Sequence, residues 1–195
     1  MKNTYNLINV SKQILNAEPG LSKVCFAKII YFVHKGLVKK ELVGLEDLRF
    51  IRMPLGPVPV GFMEITQSQT GIRIEEAASG GLVYNAQKYF SDEDSNLPDN
   101  IKVAVSEMAK VLARFSTSTL VERSHRDPSW IERSNGEEYS ITVADLANPV
   151  PSRTKAELEP DIDNQNLQGL LLSGMVNDIA EESTKLEYPD YGKTD

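Results

Sequence analysis

Apolar, aromatic or small residues fill nearly every position from Val24 to Val38. The run has no internal proline and no alternation, so its pattern is that of a helix buried on most of its circumference. Its polar residues fall on one stripe, Lys28, Lys35 and Lys39 with Phe32 between them, expected to be the solvated edge of the helix. Ser22 stands where a hydroxyl can cap the first turn, and Gly36 is a place where the last turn can loosen or end. Before this helix, Leu7, Ile8, Ile14 and Leu15 recur at helical spacing, and Pro19-Gly20 ends that run. The first two helices are therefore expected to form a helical hairpin.

Arg49 to Met53 alternates like a brief strand, and the prolines and glycines of Pro54 to Gly61 forbid helix and impose an extended, turning path. Phe62 to Gln67 reads as one helical turn. Ile72 to Ala78 and Leu82 to Ala86, on either side of Ser79-Gly80-Gly81, read as a β-hairpin, and Ser91 to Asn96 as a solvated acidic loop. Ile101, Val105, Met108, Val111, Leu112 and Phe115 mark a second amphipathic helix, and Ser116 to Ser124 a shorter one with hydroxyl caps. The chain must leave helix geometry at Asp127, the residue before Pro128. A weak strand at Tyr139 to Val143 precedes Asn148-Pro149-Val150-Pro151, the expected domain boundary. The expected fold is α+β and predominantly helical: a compact domain over 1–150 with a small β-hairpin, then an acidic extension over 151–195.

Composition changes this picture at one place. The 195 residues carry a net charge of -7 with 41% hydrophobic and 25% charged side chains, ordinary globular usage. Residues 153–195 hold four basic against ten acidic side chains, so the extension carries -6 and the body -1. A near-neutral body binds phosphate backbones poorly, so any DNA contact through the lysine stripe is expected to be weak. Within the acidic extension lies an apolar stripe, Leu167, Leu170, Leu171, Val176 and Ile179, at amphipathic-helix spacing. It is expected to dock, either on its own domain or in a partner's groove. The core run is too short and too rich in lysine to span a bilayer, and the N-terminus lacks the apolar run of a secretory signal. No membrane association and a cytoplasmic location are expected.

Candidate chemistry is sparse. Cys25 with His34 or His125 could form a thiol nucleophile and base, but a small thiol in the most apolar helix is ordinarily a buried packing residue. Two histidines offer no metal-ligand spacing, and no nucleophile elbow, P-loop or dinucleotide fingerprint is present. No catalytic residue, cofactor or metal is expected. Trp130, the sole tryptophan, is weighed as a core plug or an exposed anchor, with the plug favoured.

Three segments in order resemble one family. AKIIYFVHKG (27–36), PLGPVPVGF (54–62) and STSTLVERSHRDPSW (116–130) are similar to the lysine–tyrosine–phenylalanine helix, the glycine–proline–valine turn and the closing histidine, proline–tryptophan segment of the Panacea domain. That family includes SocA-like antitoxins and phage-associated proteins. The matching positions are Lys28, Tyr31, Phe32, Gly56, Pro57, Val58, His125, Pro128 and Trp130. Ser124 stands where threonine is usual, and Leu55 where an aromatic is common. The resemblance implies a mostly helical domain that neutralises a toxin by direct binding, with a cognate toxin as partner and a protease as a further partner if the domain acts as an adaptor. An operon repressor that binds DNA is the alternative it leaves open, and a hydrolase ranks third.

Overall fold

The structure, a computed structural model, describes residues 4–66, 70–76 and 87–152. All belong to the first of two units, Met1–Glu157. The extension and its apolar stripe at 167–179 lie outside the described residues.

Helix α1 (Leu7–Ala17) starts at Asn6, whose side chain accepts from the Asn9 amide at 3.0 Å. After Gly20 a two-residue strand β1 (Leu21–Ser22) leads into α2 (Lys23–Lys39). Ser22 occupies the N-cap position, but its hydroxyl caps nothing. Buried on nearly every side, α2 packs against α1, β1, β3 (Val58–Pro59), β5 (Gln87–Ser91), α3 (Asp99–Leu112) and α4 (Thr117–Ser124). Its apolar girth therefore does what the pattern foretold: it is the axis around which the other elements are laid.

The helix does not end at Gly36. A Cβ there would lie 2.5 Å from Met108 Sδ and 3.7 Å from Val150 Cγ2, so α3 and the 149–151 segment fill the space that the missing side chain leaves. Packing offsets the roughly 1 kcal/mol helical penalty of glycine. Gly36→Val is expected to destabilise the domain by about 1–3 kcal/mol through overpacking. Met108→Ala in the same chain should recover part of that loss in a denaturation midpoint, and no recovery would place the clash elsewhere.

Two small antiparallel sheets flank α2. One has the order β1-β5-β4, with β4 at Ile72–Glu76 and register Ile72↔Ser91 through Glu76↔Gln87. The strand that pairs with β4 lies at Gln87–Ser91, whereas Leu82–Ala86, the expected second strand, lies outside the described residues. Tyr89 decides the placement, because it pairs with Leu21 of β1 and buries its ring 5.4 Å from that of Phe26. The stretch read as a solvated acidic loop is likewise anchored. Ser91 belongs to β5, Glu93 accepts from Lys12 at 2.6 Å, and Ser95 donates to Gln13 Oε1 at 2.5 Å.

The other sheet has the order β3-β2-β6, with β2 at Phe50–Ile51 and β6 at Glu138–Tyr139. Phe50 plugs it against α2, edge-on to Tyr31 at 5.1 Å and near His34 at 5.7 Å. A 3-10 turn at Glu64–Thr66, the short helix α5 (Pro128–Ile131) and a 3-10 segment at Val143–Ala147 complete the described elements. Packing continues past Val150, since Pro151 is buried. Five α-helices and small sheets make the fold α+β, as expected. No helix among the described residues is long and apolar enough to cross a membrane.

Candidate functional site

Tyr31 and Lys35 sit one turn apart on α2 and so share a face. That face is turned inward. Lys35 Nζ donates to both carboxylate oxygens of Asp127, at 2.6 and 2.7 Å, and Tyr31 OH donates to Oδ2. Asn148 Nδ2 donates to Oδ1 at 3.0 Å and to the Arg126 carbonyl at 2.7 Å. Both side chains of the ion pair are at most 1% exposed. Burial pulls the Lys35 ammonium down, while the hydrogen bonds and charge of Asp127 oppose that pull. Burial, then the Asp127 charge, raises the Tyr31 phenol far above its ordinary range. Asp127 holds the extended conformation that Pro128 imposes, with φ -80° and ψ 129°.

Two turns back, Lys28 is also buried, 1% exposed, and donates to the Pro57 carbonyl at 2.7 Å. Among the described residues no carboxylate pairs with it, and burial lowers its ammonium to about 7. The lysine stripe is therefore not a solvated edge. Lys28 and Lys35 are internal, and only Lys39 faces solvent. A flexible four-carbon stem lets a lysine reach inward to an acceptor as readily as outward to water.

Gly56 and Pro57 form the lid over Lys28. Gly56 has φ +90°, and its amide donates to the Met53 carbonyl at 2.8 Å. A Cβ there would collide with Ser124 Oγ and stand 2.9 Å from Lys28 Cε. Val58 then pairs with Ile51 in the sheet. Phe32, the remaining motif residue on α2, is buried edge-on to Tyr31 at 5.3 Å.

The third segment closes with a stack. The rings of His125 and Trp130 lie 3.9 Å apart and nearly parallel, and the Arg52 guanidinium sits 4.2 Å over the indole. Trp130 Nε1 donates to the Met53 carbonyl at 3.2 Å. Trp130 is partly buried and packs against the hydrophobic core, so it plugs that core while leaving part of its ring at the surface. Buried His125 Nε2 has no hydrogen-bond partner, so the histidine contributes a ring face to the site.

The Cys25 thiol is hydrogen-bonded to Thr117. Cys25 and His34 are nine residues apart on α2, about 13 Å along the axis. His34 Nε2 makes a long bond to the Leu45 carbonyl (3.4 Å), and its Nδ1 lies 2.9 Å from Tyr5 OH. Burial raises the Cys25 thiol, which disfavours the thiolate a nucleophile needs. Among the described residues no group of three or more His, Cys, Asp or Glu could hold a metal ion.

Two carboxylates missed by sequence reasoning organise the polar interior. Asp127 is one. Asp145 is the other, accepting from Ser129 N (2.9 Å), Ser129 Oγ (2.5 Å) and Thr142 N (2.6 Å). The Thr142–Asp145 spacing of a capping box was the available signal for the second. For the first there was only its place before a proline.

Both histidines are held neutral. Burial lowers His34 to about 4, and burial with the Lys28 and Arg52 charges lowers His125 to about 4. Unfolded, each titrates near 6.5. Between roughly 6.5 and 4 the unfolded chain therefore binds more protons, and the stability due to neutral histidine is lost as pH falls through that window. Wild type is expected to lose more stability from pH 7 to 5 than His125→Asn does. Equal losses would mean that His125 takes up its proton as readily folded as unfolded.

A family model described as antitoxin SocA-like, Panacea domain, matches residues 26–131, from α2 through α5. No curated protein and no solved structure matches the chain. The matched span covers more than half of the chain and contains the buried helix, the Gly-Pro turn and the Asp127 hub: the chain belongs to the antitoxin SocA-like Panacea domain family.

Proposed function

We propose that this protein is an antitoxin that neutralises a cognate toxin by direct protein–protein binding and performs no turnover of its own. The family match across α2 to α5 carries the reading. The motif side chains support it. Lys28 is committed to Pro57 beneath Gly56, and Tyr31 to Asp127, two buried contacts suited to holding a scaffold. Val58, His125, Pro128 and Trp130 extend that scaffold to the surface. DNA binding is the weaker alternative, because two lysines of its supposed contact stripe are internal. A role as adaptor to a protease would be a variation on the same binding function.

Toxin contact is assigned in part to the extension, through Leu167, Leu170, Leu171, Val176 and Ile179. Each such side chain contributes about 1.5–3 kcal/mol when fully buried, less the cost of ordering the segment. The direct test is co-expression with the protein encoded by the adjoining reading frame, scored as growth rescue and as complex formation by calorimetry. Rescue with a measurable complex, retained in Cys25→Ala, is the expected result. A folded protein that neither binds nor rescues would overturn the reading. Truncation after Ser152, which spares buried Pro151, should keep the domain folded and weaken the complex; undiminished binding would remove the extension from the interface.

A further inference from the structure

Arg52 differs from the other arginines of its face. Arg49 pairs with Glu138 at 2.7 Å, Arg133 with Glu137 at 3.1 Å, and Arg126 with Glu122. Arg52 donates only to the Asn135 side-chain carbonyl and lies on the Trp130 ring, while its buried Nε has no partner. Among the described residues no carboxylate pairs with it. Below the indole, His125 backs the stack, so Arg52 and Trp130 form a rigid platform whose guanidinium lacks a counter-charge.

The same neighbourhood is unusually apolar for a surface. The indole is bonded to the Met53 carbonyl at the start of the Gly56 turn. Met53 (42% exposed) and Leu55 (38%) lie in that turn, and Ile131 (59%) follows Trp130 directly. Partly buried tryptophan and arginine surrounded by apolar side chains is the composition of an interface hot spot.

We propose that the face formed by Arg52, Met53, Leu55, Trp130 and Ile131 docks a segment of the partner toxin that carries a carboxylate beside an apolar side chain. The carboxylate pairs with Arg52, and the apolar side chain covers Leu55 and Ile131. The inference rests on the antitoxin reading and adds a surface and a chemistry to it. Charge complementarity selects a protein carboxylate over a nucleic acid. With Arg49, Arg126 and Arg133 paired to Glu138, Glu122 and Glu137, the face offers Arg52 alone, a match for one carboxylate and too little positive charge for the successive phosphates of a nucleic-acid backbone.

The test uses the full chain, with Arg52→Glu and Ile131→Asp as separate variants, and the protein of the adjoining reading frame as probe. Both variants are expected to melt near the wild-type midpoint. Each should bind at least about 30-fold more weakly, the scale of losing a desolvated charge pair or an apolar anchor. An Asp or Glu to Arg change in the toxin that restores binding to Arg52→Glu, and not to wild type, would identify the carboxylate. Variants that bind within about twofold of wild type overturn the inference while leaving the antitoxin reading standing. A wild-type protein that binds nothing removes both. If Arg52→Glu converts a dimer to a monomer with toxin affinity unchanged, the face belongs to a second copy of this chain and the assignment to the toxin is wrong. Ile131→Asp keeps the test decisive should Arg52→Glu fail to fold.

Discussion

Asp127→Ala is expected to cost about 3–5 kcal/mol, because it strands the buried Lys35 ammonium without the carboxylate to which it is hydrogen-bonded. The Tyr31 hydroxyl and the Asn148 amide lose their acceptor in the same step. For a domain of this size the loss corresponds to a fall of roughly 6–20 °C in the melting midpoint. The double variant Lys35→Met, Asp127→Leu separates charge from packing. A buried ion pair exchanged for apolar groups of similar volume is often neutral or better, so the double variant should be far more stable than Asp127→Ala. Equal instability would show that the pair's value lies in shape and hydrogen bonding. A midpoint unchanged by Asp127→Ala would mean that water reaches Lys35 and supplies the missing acceptors.

Gly56→Val is the second large effect. At φ +90° a branched residue is strained, a penalty on the order of 1–3 kcal/mol. The added side chain would also drive into Ser124 Oγ and Lys28 Cε, and overpacking of this kind costs about another 1–3 kcal/mol. Displacing Lys28 would break its bond to Pro57 and leave a buried ammonium unsatisfied. Gly56→Ala combined with Ser124→Ala opens the space while leaving the backbone strain, so it should recover only part of the stability, read from denaturant midpoints. Full recovery would show that strain at Gly56 is negligible.

These effects bear on function through one chain of contacts. Gly56 seats the turn on Lys28; the turn holds Met53; the Met53 carbonyl fixes the indole of Trp130, and the indole supports Arg52. A fault at Gly56 is therefore expected to weaken toxin binding even in the fraction that stays folded. Comparing complex affinity per folded molecule in Gly56→Ala and in Gly36→Val tests this, because Gly36 lies at the α2–α3 contact and outside that chain. Equal affinity in both would break the proposed link.

The buried central helix, the helix before it, the α3 and α4 helices and the extended Gly-Pro segment are all legible in the amino-acid sequence. Each depends on local rules: an apolar period, a proline that forbids helix, a hydroxyl at a cap. The family, too, could be recognised from three motifs in order. Tertiary structure alone decided where the polar groups went. Lys28 and Lys35 resemble surface lysines in any helical pattern, and only an acceptor 29 residues away at Pro57 or 92 residues away at Asp127 turns them inward. It also placed Gln87–Ser91 between β4 and β1, where the Tyr89 ring packs against Phe26. The Arg52–Trp130–His125 stack joins residues more than 70 positions apart, and periodicity cannot encode such a pairing. Hydrophobic burial follows the chain's own period and so can be read locally, whereas an ion pair or a ring stack is specified by two distant residues and exists only once the fold has brought them together.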